Sequence, residues 1–75
     1  MSDRLEISRL EALAEAAYDR MYDARRPKDA YDEACDYFHD AIELAGRVGL
    51  EDEAARLSAR KAHVMAVYNA QFRWV

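Results

Sequence analysis

A chain of 75 residues holds one domain, close to the size at which a single core barely offsets a conformational entropy of roughly 1.5 kcal/mol per ordered residue. Its residues are 52% hydrophobic and 35% charged, which excludes the low-hydrophobicity regime of disordered chains, and the net charge of -4 argues against generic binding to nucleic-acid phosphates. A single cysteine excludes an internal disulfide, and two glycines, one proline and no threonine leave few strand and turn formers, so the inventory is all-α.

The amino-terminal "MSDRLEISRL" is charged and lacks the apolar run of a signal peptide, and no later stretch approaches the roughly 20 apolar residues of a membrane span. The expectation is a cytoplasmic protein without membrane contact. A first helix is predicted over about residues 3–24, with Asp3 as N-cap and Glu6 three residues on. Ile7, Leu10, Leu13, Ala14, Ala17, Tyr18 and Met21 recur at steps of three and four and form one apolar stripe. Glu11, Glu15, Asp19 and Asp23 form an acidic line on the other side, which is either a solvated face or a docking stripe for a basic partner.

Pro27 suits the first turn of a second helix, over about residues 27–48, because its missing N–H costs nothing there. Ala30, Tyr31, Ala34, Cys35, Tyr37, Phe38, Ala41, Ile42, Leu44, Ala45 and Val48 cover about half its circumference at 100° per residue, so this helix must touch two neighbours. Gly49 fits a left-handed C′ position, with Leu50 placed for the hydrophobic contact of a Schellman motif. A third helix, over about 51–74, opens with three carboxylates at the positive end of its dipole. Leu57, Val64, Met65, Tyr68, Phe72 and Val75 share one of its faces, and Lys61 lies within that face with a stem that can pack. Ala55, Ala59, Ala62, Ala66 and Ala70 line the other side, a strip that reflects helix propensity or lets another helix approach closely.

The segment "YDEACDYFHDAIELA" (31–45) gathers a cysteine, a histidine and several carboxylates. On a helical wheel Asp32, Asp36, His39, Asp40 and Glu43 point away from Phe38 and Ile42, and Cys35 lies near the apolar edge. Asp36-x-x-His39 has the spacing of a di-iron ligand pair, but such ligands project inward and need carboxylates from other helices. No metal or other cofactor is expected, and Cys35 reads as a small buried hydrophobe. Ser2, Ser8 and Ser58 are the only hydroxyl nucleophiles outside tyrosine, neither histidine has a triad neighbour, and no glycine loop could cradle a phosphate. The protein is not expected to be an enzyme.

Within the same segment, Ala34-x3-Phe38-x2-Ala41 resembles the second-helix signature of a tetratricopeptide repeat, in which small residues admit a close neighbour and the aromatic fills the hairpin core. Tyr18 and Met21 suit the aromatic and large apolar positions of the first helix, whereas Tyr22, Arg25 and Gly46 depart from the pattern. The resemblance implies a TPR-like hairpin plus a third helix, and a protein-binding scaffold without catalysis. A hairpin and a half is too short for a usual concave groove, because repeats need stacking neighbours.

The expected architecture is therefore an antiparallel three-helix domain spanning 1–75, and the expected function is a small interaction module that binds itself as a homodimer or binds another protein. The candidate interface is Val67, Tyr68, Phe72, Trp74 and Val75, because a chain end rich in aromatic residues frays unless it has something to pack on. The alternative is an acidic inhibitor or regulator from a mobile element that occupies a nucleic-acid-binding groove on a target protein. Residues 1–50 carry a net charge of -5 and residues 51–75 a net charge of +1, a diffuse distribution that favours the first reading.

Overall fold

A computed structural model describes residues 2–74. Three α-helices follow one another: α1 (Asp3–Asp23), α2 (Pro27–Arg47) and α3 (Glu51–Val67), and α3 runs on into a π-helical turn, Tyr68–Phe72. The domain is all-α, and the segments break where proline and glycine foretold.

At the start of α1 the N-cap is Ser2, whose side chain makes no capping hydrogen bond, and Asp3 is already the first helical residue. The predicted Asp3 cap is thus displaced by one residue. Asp3 and Glu6 still complement the helix dipole from within the first turn. Pro27 opens α2 as expected. The exit of α2 is a complete Schellman motif: Gly49 adopts φ 81°, its N–H donates to the Gly46 carbonyl at 3.3 Å, and the Leu50 N–H donates to the Ala45 carbonyl at 2.8 Å. Only a residue without a Cβ takes that backbone conformation freely.

Helix α2 is the middle element and packs on both of its neighbours. Its fully buried side is Ala34, Phe38, Ala41 and Ala45, so the two flanking helices approach over alanines while one aromatic ring fills the space between them. Ile7, Leu10, Ala14, Ala17, Tyr18 and Met21 of α1 and Leu57 and Val64 of α3 complete the core. Leu13 and Cys35, both read as core from the periodicity, sit at its margin and are only partly buried. Each lies at the edge of its apolar arc, where a two-layer packing leaves no third element to cover it.

Candidate functional site

Helices α1 and α3 run parallel on the same side of α2, and their link is electrostatic. Arg56 grips Glu11 with two guanidinium nitrogens at 2.7 and 2.8 Å, and Arg60 grips Glu15 in the same way at 2.7 and 2.9 Å. Two carboxylates four residues apart thus meet two guanidinium groups four residues apart, one rung per helical turn. The Arg56 hydrogen bonds hold the Glu11 carboxyl below its ordinary pKa. Half of the acidic line is therefore committed inside the molecule, while Asp19 and Asp23 remain exposed. Arg56 and Arg60 have the same four-residue spacing as Glu11 and Glu15, a signal present in the sequence that does not by itself name the partner helix.

Further along, aromatic side chains take over from the ion pairs. The Tyr18 ring meets His63 edge-on at 6.4 Å and lies under the Arg60 guanidinium at 5.2 Å. Its hydroxyl is 2.9 Å from that of Tyr22, and the Tyr22 ring meets Phe72 edge-on at 5.1 Å. On the α2 side Tyr31 stacks on Tyr68 at 3.9 Å. Burial, reinforced by the neighbouring hydroxyl of Tyr22, pushes Tyr18 up to about 12; burial, with Cys35 beside it, does the same for Tyr31. The π-helical turn is closed by the Arg73 N–H donating to the Tyr68 carbonyl at 2.9 Å. Its wider turn swings Phe72 back toward α1, where Tyr22 receives it.

The candidate interface residues are therefore divided. Tyr68 and Phe72 pack within the chain, Val67 is partly buried against the core, and Val75 lies outside the described residues. Trp74 is 82% exposed, with the Arg73 guanidinium 5.1 Å above its ring.

The outer side of α3 distinguishes it from the other helices. On α1 the exposed side mixes charge with apolar groups, Arg9, Asp19 and Arg20 standing among Leu5, Ala12 and Ala16, and on α2 it carries Lys28, Glu33, Asp40 and Arg47. Along α3 the side opposite Leu57 and Val64 is alanine at 55, 59, 62 and 66, flanked by Met65 at 40% exposure, and an exposed Ala70 follows in the π-helical turn. This surface is smooth, apolar and uncovered.

Asp32, Asp36, His39, Asp40 and Glu43 are all exposed, and three of them are tied into pairs along α2: Lys28 with Asp32 at 2.8 Å, and Glu43 with His39 at 3.3 Å and with Arg47 at 3.1 Å. Burial raises the Cys35 thiol, which disfavours the reactive thiolate. Among the described residues no cluster of His, Cys, Asp and Glu has the arrangement to hold a metal ion, and no helix is long and apolar enough to cross a membrane. A cleft of about 190 Å³ opens between the start of α1 and the α2–α3 turn, lined by Arg4, Ile7, Ser8, Leu50, Glu53 and Arg56. Its Arg56 is already held by Glu11 and Glu53. Comparison with protein-family models, with curated proteins and with solved structures gives no match.

Proposed function

We propose that the protein is a small, non-enzymatic protein-interaction module of the cytoplasm that self-associates through the outer face of α3. The observation that carries this reading is the alanine face with Met65 beside it and no charged side chain within it, whereas the exposed sides of α1 and α2 are interrupted by charges. An exposed apolar helix face seeks another helix, and alanines let the two axes come to the near end of the usual 8–10 Å separation. Trp74, exposed in the segment that follows α3, is a further uncovered apolar group of the kind that anchors interfaces. The fully buried Ala34, Phe38 and Ala41 support a TPR-like hairpin as the scaffold, and in such arrays each repeat leaves a face for the next.

The competing reading, an acidic inhibitor of a nucleic-acid-binding protein, requires the carboxylates of α1 to be available. Glu11 and Glu15 are engaged by Arg56 and Arg60, which leaves the self-associating module as the better supported of the two.

One helix face is at the small end of specific interfaces, so the expected dissociation constant is on the order of 10 μM. Sedimentation equilibrium of the wild type and of Ala62→Glu tests the reading. Ala62 is exposed, so a carboxylate there leaves the monomer fold intact, verifiable by circular dichroism. The expected result is a wild-type dimer and a monomeric variant at about 50 μM, several times that constant. A wild type of 8.7 kDa up to about 100 μM, or a variant that dimerises equally well, rejects the proposal.

A further inference from the structure

The end of α3 has two hydrogen-bond registers open to it. The Arg73 N–H reaches back five residues to the Tyr68 carbonyl at 2.9 Å, which makes Tyr68–Phe72 a π-helical turn. One residue nearer, the Asn69 carbonyl offers the ordinary α-helical partner. None of residues 68–73 is glycine or proline, and the flanking dihedrals, φ -62° and ψ -47° at Val67 and φ -57° and ψ -31° at Arg73, are right-handed helical. Nothing local therefore excludes the α register.

The two registers aim Phe72 in different directions. In a continuous α-helix Phe72 lies about 40° past Tyr68 around the axis and about 20° from both Lys61 and Met65, on the side of α3 turned away from the Arg56, Arg60 and His63 side chains that meet α1. The π turn holds more residues per turn, so Phe72 stops short of that direction and meets Tyr22 of α1 edge-on at 5.1 Å. Tyr68 faces α2 instead, stacked on Tyr31 at 3.9 Å with the rings 14° apart. Tyr22 is itself held in place: its hydroxyl is 2.9 Å from that of Tyr18, whose ring lies against Arg60 and His63 of α3. The contacts close a ring from the middle of α3 through Tyr18 and Tyr22 to the end of the same helix.

We propose that the Tyr68–Phe72 turn is a latch, with Tyr68 as its fixed post, Phe72 as its moving arm and Tyr22 as its catch, closed in the π register and released in the α register. The latch matters because α3 itself buries only Leu57 and Val64, so the aromatic turn is what ties its far end to α1 and α2 together. Release withdraws Phe72 from α1, sets it in line with the exposed Met65, and leaves the end of α3 attached through Tyr68 alone. The device acts within one chain and is independent of what the outer face of α3 binds.

NMR couplings across hydrogen bonds identify the carbonyl with which each amide pairs, and Tyr22→Ala removes the catch without opening the buried core, since Tyr22 is half exposed. The Arg73 amide should couple to the Tyr68 carbonyl in the wild type and to the Asn69 carbonyl in the variant, and amide exchange from Leu57 to Val64 should quicken several-fold. Phe72→Leu keeps an apolar side chain and removes only the ring edge, so it reports the register even where Tyr22→Ala unfolds the chain; its Arg73 amide should couple to both carbonyls. Retention of the Tyr68 partner alone in either folded variant overturns the latch, because residues 68–73 would then set the π turn by themselves. A change of register that leaves exchange between Leu57 and Val64 unaltered overturns the hold on α3. Coupling to Asn69 in the wild type overturns the closed state.

Discussion

Phe38 shows how much of the fold one residue sets. It is fully buried between Ala34 and Ala41 on the helix that touches both others, so its ring is shared by two interfaces. Removing it leaves a cavity at the junction, and Phe38→Ala should cost about 3–5 kcal/mol, a large part of the ~5–15 kcal/mol that holds a small domain together. Urea unfolding followed by circular dichroism should show a lost or non-cooperative transition; a midpoint close to wild type would contradict the packing described. This residue was legible beforehand because the alanines around it leave one large side chain to fill the space. Gly49 was legible for a different reason, since few residues tolerate the left-handed turn that ends α2. Cys35 was not, because periodicity gives the centre of an apolar arc more sharply than its edge. Whether an edge residue is covered depends on how many layers pack above it. The cap of α1 slipped from Asp3 to Ser2 for a related reason: both side chains suit the role, and the spacing to Glu6 cannot choose between adjacent phases.

Between elements, the register of α3 against α1 is set by the two guanidinium–carboxylate rungs together with the aromatic contacts beyond them. The sequence contained both halves of each rung, but on helices 45 residues apart, where spacing alone does not reveal partnership. The π-helical turn was less legible still. Tyr68 and Phe72, four residues apart, suit a continuing α-helix equally well, and the choice comes from tertiary contacts, Tyr31 on one ring and Tyr22 on the other. The rungs make a prediction with a definite pH sign. Since Arg56 holds the folded-state pKa of Glu11 below its unfolded value, the stabilisation is fully present above about pH 4.5 and disappears as pH falls through the folded value. Glu11→Gln should therefore destabilise the protein by about 0.5 kcal/mol at pH 7, a figure kept small because the pair is partly solvent-exposed. Near pH 2 the variant and the wild type should converge. Urea midpoints compared at the two pH values check this, and a difference that persists undiminished in acid would mean that Glu11 acts through packing instead of charge.

The whole molecule measures 39 × 20 × 12 Å, and α2 packs against two helices of unequal attachment. Helix α1 contributes six buried residues and α2 another six, whereas α3 contributes Leu57 and Val64. The least anchored helix is thus the one whose outer side is apolar. Local opening of a protein begins where buried apolar contact is sparse, so α3 should detach at a lower free energy than the α1–α2 hairpin. Covering its alanine face then has two effects, burial of surface and suppression of that opening. By mass action the second effect scales with protein concentration. Amide hydrogen exchange read by mass spectrometry should accordingly find α3 less protected than α2 at about 1 μM, where the chain is mainly monomeric. Raising the concentration to about 100 μM should slow exchange in α3 by at least several-fold and leave the centre of α2, around Phe38 and Ala41, little changed. Protection that rises equally in all three helices would point to a dimer that stabilises the fold as one unit, and protection of α3 that ignores concentration would show that its alanine face is uncovered in solution.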